Sequence, residues 1–525
     1  MNKTLLAMLI SSVAFISHAS PWNVPDLGVG DNGLLQSVEH QQLEQGVDFY
    51  QISRGESHNE TYLLSSGVLN EKTVEQYMTA LDQLNIQYTV EVAPEPAPNG
   101  TVIGKIVRIR GFSSAEKAGD FATQLKQSNL NFSTRFSAQD GYLTNGPFDI
   151  SLLRIDLNQY QGKVETILAN DRITTAETVS SMANRNNALA AINGGFFAFN
   201  DIVGDFGAPA GLYVKDGELL REAANQRPVL IIDNSGKHSK VTIGSSVTTK
   251  VMLTYNNSKM RIDGLNRKPG VILNCGGYGD TPSTEAIHDF VCTDDSEIIV
   301  YNSAYGAQTP QGEGSEIIID TTGKVVEINR SRGSQIKPEW QYIQLTGDAQ
   351  LAVNVGDTIT IDSLVLVDGN DINLTKGLSM LNAGPSLVTN FEIDRASRNT
   401  QGFNPYPSTG EHAGSQDDDG LGVSGAMENR EGFYNGWVLR RHPRTALGVT
   451  AENVLYAAVV YGRAPTITEG ASITDMAVMM KSLGTKSAIN LDGGGSSMMV
   501  IDGKRTGASS DDSEREVSDS IIFTH

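Results

Sequence analysis

Between residues 73 and 136 the apolar positions change period several times, and each change marks an element. In "TVEQYMTALDQL", Val74, Tyr77, Met78 and Leu81 recur at three- and four-residue spacing, which predicts an amphipathic helix. "IQYTVEV" then alternates as a strand does, and "APEPAPNG" is an extended break. "GKIVRIRGF" alternates again. Ser113 and Ser114 stand where a helix cap belongs, ahead of "AEKAGDFATQLKQ". In that stretch Ala115, Ala118, Phe121, Ala122 and Leu125 share one face, and "NFSTRF" closes the series. From about Phe49 to Phe136 the order is strand, helix, strand, twice over. This predicts a small ferredoxin-like domain of two split βαβ units over residues 46–138. Residues 20–45, polar with scattered Pro and Gly, read as a linker.

Beyond residue 140 strands dominate. "LAAINGGFF", "VLIID", "EIIVYN", "EIIID", "SLVLV", "VLYAAVVYG" and "SAINLD" are strand-like runs, and "TAETVSSMANRN" and "TDMAVMMKSLG" are the clearest helices. In the last, Met476, Met479, Met480 and Leu483 form a stripe that reads as core packing, with Thr474 as N-cap and Gly484 as terminator. Residues 140–525 therefore read as one large, mixed, β-rich domain, and the whole chain as α+β. A long polar segment between Asn399 and Trp437 carries Asp417-Asp418-Asp419. Its spacing is not that of an EF-hand, so a solvated acidic loop is the reading and calcium the alternative. No other cofactor or metal is indicated.

At the start, "MNKTLLAMLISSVAFISHAS" combines Lys3, an apolar stretch from Leu5 to Ile16 and the small-x-small pattern Ser17-His18-Ala19. That is the pattern of a cleavable signal peptide over residues 1–19, and it predicts a secreted or periplasmic protein. No later run is apolar for long enough to span a membrane. The 525 residues, 39% hydrophobic and 19% charged, suit a soluble protein of more than one domain. A net charge of −21 argues against nucleic acid and anionic membranes as partners, so any anion site has to be local. Cys275 and Cys292, with no histidine pair nearby, are expected to form one structural disulfide.

Three stretches stand apart from core sequence. "AAINGGFFAFN" places Asn193, Gly194, Gly195, Phe196 and Phe197 at a strand end, which suits either backbone approach to a polar ligand or a tight turn with both rings in the core. "RRHPRTALGVT" packs Arg440, Arg441, His442 and Arg444 together in an acidic chain, then runs into a strand. Forked guanidinium donors match phosphate or carboxylate, although pairing with nearby acids is the plainer use. "NLDGGGSS" sets Asp492 at a strand end before Gly493, Gly494, Gly495, Ser496 and Ser497, either an anion-binding nest or a hairpin turn. It lacks the lysine of a Walker loop and is not a GxSxG elbow.

Taken together, "TVSSMANRNNALAAINGGFF", "GLYVKDGELL", "LNAGPSLV", "RHPRTALGVT", "SAINLDGGGSSMMV" and "REVSDSI" resemble the phosphodiester glycosidase family over most of the chain after residue 140. "INGGFF" and "DGGGSS" in this order are distinctive. The resemblance implies hydrolysis of the glycosyl C1–O bond of a phosphorylated or otherwise anionic glycan. It also implies roles. Arg444 and Arg515 would hold the phosphate, with the Gly493–Gly495 amides as further donors. Asp492 would stabilise the sugar or act as nucleophile or base. Asn193, Ser496 and Ser497 would orient the ligand, bordered by Gly194, Gly195, Phe196, Thr445 and Ser518. Glu452, Asp475 and Asp205 are candidates for a second acid. One position departs from the family: the terminal motif usually reads R-x-V-S-N, and Asp519 stands in place of the amide. "IVRIRGFSSAEKAGDFATQLKQSNLNFSTRF" loosely resembles the sporulation-related repeat, which implies peptidoglycan as a partner. Two other functions fit the same residues: a non-catalytic binder of cell wall or anionic glycan, and a glycosidase for unphosphorylated polysaccharide.

Overall fold

The computed structural model describes residues 22–525 apart from 59–60, 141–143, 225, 274–280, 283–290, 404–431, 433, 508–509 and 512; the signal-peptide stretch and Asp417–Asp419 lie outside the described residues. The protein is β-rich α+β, with strands far outnumbering helices among the described residues.

Its frame is a pair of antiparallel sheets. Among the described residues, the larger runs in the order Gln36–Glu44, Val47–Arg54, Phe148–Asp156, Val454–Val460, Arg444–Val449, Ser487–Asn490, Ser386–Thr389, Glu392–Ile393. The smaller runs Lys504–Arg505, Met499–Ile501, Ala190–Asn193, Asp519–Phe523, Val164–Leu168. Strand periodicity explains how the larger sheet is buried on both sides. Along Val454–Val460, Leu455, Ala457 and Val459 point to the core shared with the smaller sheet, beside Ile192, Met499 and Ile521. Tyr456, Ala458 and Val460 point the other way, toward the Ile473–Ser482 helix. A strand covered on both faces reads as one continuous apolar run, as "VLYAAVV" does. The outer face of the smaller sheet is covered by the Val179–Arg185 helix through Val179, Met182 and Ala183. Residues 213–382 build further, mostly antiparallel, sheets beside this frame.

Two readings from sequence need correction. Residues 36–54 are neither linker nor the first strand of the small unit: Gln36–Glu44 and Val47–Arg54 form a hairpin that extends the larger sheet by pairing with Phe148–Asp156. "VDFYQISR" buries Val47 into one core and Tyr50 and Ile52 into the other, so it gains more there than in a free hairpin. The cap of the methionine-rich helix is Ser472, not Thr474. Ser472 accepts from the Asp475 N–H while Asp475 accepts from the Ser472 N–H, a reciprocal capping box. Gly484, at φ +76°, ends that helix.

The small unit comprises strands in the order Thr89–Val92, Lys105–Phe112, Tyr62–Leu69, Ser133–Phe136, with helices Glu71–Gln83 and Ala115–Lys126 on one face. Asn70 and Ser114 cap the helices by accepting from the N–H groups of Thr73 and Lys117. Cys292 is buried and disulfide-bonded; Cys275 lies outside the described residues.

Candidate active site at the sheet ends

Neighbouring ends of the two sheets bring the three singled-out stretches together. Asn193 ends the central strand of the smaller sheet, and its side chain makes three hydrogen bonds. Its Oδ1 accepts from Thr445 Oγ1 at 2.7 Å and from the Met498 N–H at 3.1 Å, and its Nδ2 donates to the Asp492 carbonyl at 2.9 Å. Both Asn193 and Thr445 are fully buried. They fasten one sheet to the other and fix Asp492 through its backbone. The Asp492 N–H donates to the Gly194 carbonyl at 3.0 Å, and its Oδ1 accepts from the Gly493 N–H at 2.8 Å. Asp492 is thus held from both sides while its side chain stays half-buried.

The three glycines are walled by arginines. A Cβ on Gly493 would lie 3.6 Å from Arg444 Nη1, and one on Gly494 would lie 2.9 Å from Arg463 Nη2. One on Gly495 would lie 2.4 Å from Arg515 Nη2 and 2.1 Å from Asp511 Oδ2. At Gly494 and Gly495 a side chain would have to push a guanidinium or the Asp511 carboxylate aside, so these two glycines let those groups lie close to the backbone, whereas Gly493 meets Arg444 only at ordinary contact distance. Gly494 also has φ +64°.

Each arginine is held differently. Arg444 is buried, donates from Nε to the Ala471 carbonyl at 3.1 Å and from Nη2 to the Trp437 carbonyl, and lies 4.7 Å over the Trp437 ring. Burial, then the charge of Arg463, lowers its pKa to about 9, so it stays cationic at neutral pH. Arg463, which sequence reading passed over, has the left-handed φ of +60°. Its Nη2 donates to His442 Nδ1 at 3.5 Å, and His442 Nε2 in turn donates to the Gly436 carbonyl at 2.7 Å. Burial and the surrounding arginines push the His442 pKa well below its usual value, so the ring is neutral. Arg515 is partly exposed and pairs with Asp511.

The other two members of the arginine knot are structural: Arg441 pairs with Asp475 at 3.0 Å, and Arg440 lies 3.6 Å from Asp140. The glycine amides already have partners within the protein: the Gly493 N–H goes to Asp492 Oδ1 and the Gly494 N–H to the Pro443 carbonyl, both at 2.8 Å. Ser496 and Ser497 are buried beside them.

None of the three candidate second acids joins Asp492. Asp475 is spent on its capping box and Arg441. Glu452 is exposed in the turn between Arg444–Val449 and Val454–Val460, at the far end from Arg444. Asp205 belongs to another buried group, 3.2 Å from the Tyr305 hydroxyl and near Arg221. The buried carboxyl at the site is Asp519, whose Oδ1 accepts from the Gly195 N–H at 3.0 Å. A Cβ on Gly194 would lie 1.7 Å from that oxygen, so Gly194 and Asp519 require each other. Burial raises the Asp519 pKa to about 6 against the Gly195 and Ser518 hydrogen bonds. Phe197 is buried in the core behind the smaller sheet. Phe196 is half-buried beside Phe403 and Trp437, with the Arg227 guanidinium 5.4 Å from its ring.

Fold and site together define a protein of two packed β-sheets in which a half-buried carboxylate and three arginines meet at neighbouring sheet ends. Residues 313–524 match the model of the phosphodiester glycosidase family. The crystal structure of a "putative exported protein" from Burkholderia pseudomallei is similar throughout, with TM-score 0.83 and 30% identity over 97% of this chain and 100% of that one. A hypothetical protein from Synechocystis shares the fold at TM-score 0.53, with 15% identity over 94% of this chain and 80% of that one. The catalytic domain of zebrafish N-acetylglucosamine-1-phosphodiester α-N-acetylglucosaminidase matches at TM-score 0.34, with 14% identity over 75% of this chain and 78% of that one. No curated protein matches. Among the described residues no helix is long and apolar enough to cross a membrane.

Proposed function

We propose that the protein is an exported hydrolase that cleaves the glycosyl C1–O bond of sugar-1-phosphodiesters in an envelope glycan. The observation that supports this reading is the placement of Arg444, Arg463 and Arg515 on successive glycines beside Asp492. Guanidiniums offer forked donors to phosphoryl oxygens. As the C1–O bond breaks, the departing phosphate gains negative charge, so fixed cations favour the transition state over the ground state. Asp492 faces the positive charge that builds on the sugar, as nucleophile at C1 or as base toward the attacking water. Water is consumed: its OH is added to C1 and its remaining proton goes to the phosphate, releasing a reducing sugar and a phosphomonoester. Asn193, Thr445 and Asp519 act as positioning residues, and the half-buried Phe196 ring offers a surface for the apolar face of the sugar. Export is supported by the leader pattern and by the likeness to the Burkholderia pseudomallei "putative exported protein". Peptidoglycan is the partner proposed for the small N-terminal unit.

The test is release of reducing sugar from a synthetic sugar-1-phosphodiester, with the unphosphorylated glycoside as control. Asp492→Asn and Arg463→Ala are each expected to lower kcat/KM by about 10³ or more. Wild-type turnover by a folded Asp492→Asn protein would remove the central role given to that carboxylate.

A further inference from the structure

Asp511 adds a second charge relation at the same loop. Its Oδ2 accepts from Arg515 Nε at 3.1 Å and Nη2 at 2.8 Å, and its Oδ1 lies 4.0 Å from Arg463 Nη1. Two of the arginines that wall the glycines therefore share one internal anion, held over Gly495. With His442 neutral, the guanidiniums of Arg444, Arg463 and Arg515 stand against the carboxylates of Asp492 and Asp511. Among the described side chains set against Gly493–Gly495, the balance is a single positive charge.

We infer that Asp511 sets the charge class of the ligand, so that the site selects a monoanionic phosphodiester over a dianionic phosphomonoester. The inference rests on the reading of this loop as a phosphate site. A diester carries one charge, whereas a monoester carries two above its second pKa of about 6. Stripping water from an ion costs in proportion to the square of its charge, whereas attraction to the guanidiniums grows only in proportion to the charge, so a weakly positive site favours the monoanion. Hydrolysis converts one class into the other, so the same balance that admits the substrate weakens the hold on the phosphomonoester product. Asp511 is thereby a specificity-determining residue: it acts on the ligand through the guanidiniums and through its own field.

Coulomb energy scales with ligand charge, so removing the Asp511 charge strengthens dianion binding by about twice as much, in free energy, as monoanion binding. The experiment is calorimetric titration of dimethyl phosphate and methyl phosphate at pH 8 into wild type, Asp511→Asn and Asp511→Glu. In the Asn variant, dimethyl phosphate is expected to bind about tenfold tighter and methyl phosphate about a hundredfold tighter. The Glu variant, which keeps the charge, is expected to retain the wild-type ratio. An unchanged ratio in an Asp511→Asn protein with wild-type melting would overturn the role of Asp511 and leave the anion site standing. Failure of both anions to bind wild type and variant alike would overturn the phosphate site itself, and this inference with it.

Discussion

Asp519 shows what one atom's substitution does to a family motif. Where an amide is usual, a carboxyl stands fully enclosed, its Oδ1 on the Gly195 N–H and its backbone carbonyl on the Gly194 N–H. An asparagine makes the same acceptor bond through Oδ1, so the turn geometry does not require the acid. The acid costs stability once it ionises. With a folded pKa of about 6 against the 3.8 of a free aspartate, the unfolded chain releases this proton first, so Asp519 lowers stability as pH rises from about 4 to 6. Above that window the penalty is constant, on the order of 3 kcal/mol; below it the penalty vanishes. Asp519→Asn is therefore expected to be more stable than wild type at pH 7 and nearly equal to it at pH 4. Urea unfolding at the two pH values measures the difference, and a gain of the same size at both would show that ionisation is not its source.

At the scale of elements, the glycine loop carries a separable prediction. In Gly495→Ala the new methyl meets the far ends of Arg515 and Asp511, both partly exposed and free to swing outward. The fold is expected to survive, with melting lowered by only a few degrees, roughly 1 kcal/mol, while kcat/KM on the phosphodiester falls at least about tenfold as Arg515 leaves its place. Loss of folding instead of activity would mean that the glycine serves the turn rather than the arginine. The loop also marks how far the sequence is legible. Helices at 71–83, 115–126 and 473–482 announce themselves by apolar spacing and caps, and buried strands such as 454–460 by continuous apolar runs. The edge strand Gln36–Glu44 does not, because most of its side chains are exposed and no alternation marks it. Asp492 and Arg444 are readable because each stands at the end of an apolar run. Arg463 carries the same signal after "VLYAAVVYG" and was readable in principle. That Asn193 would clamp, that Gly493 and Gly494 would spend their amides internally, and that Asp511 would sit on Gly495 depend on contacts between distant segments. No local pattern encodes them.

At the scale of the whole molecule, the small unit is joined to the strand that bears Arg444. Ala93, Ala97, Ile103 and Ile106 enter the core that contains Phe403, Tyr434 and Val438. Arg441 donates from Nη1 to the Ala138 carbonyl at 3.0 Å and from its backbone to Gln139 at 2.9 Å. Between these lies a buried ionic chain: Arg108, from the sheet of the small unit, contacts Glu91 at 2.9 Å and Asp140, and Asp140 faces Arg440 at 3.6 Å. Arg108 is 0% and Asp140 3% exposed, so the cations are screened by these carboxylates and not by water. Removing one carboxylate from such a group leaves buried charge uncompensated, which costs more than the intact group contributes. Asp140→Asn is accordingly expected to destabilise the protein by about 3–5 kcal/mol. The same change should lower turnover, because Arg440 lies on the non-helical segment that leads directly into Arg444 and sets the site. Calorimetric unfolding together with a phosphodiester assay checks both effects. A unit that merely hung from the large domain would yield a change below about 1 kcal/mol, the range of an exposed ion pair, with turnover untouched.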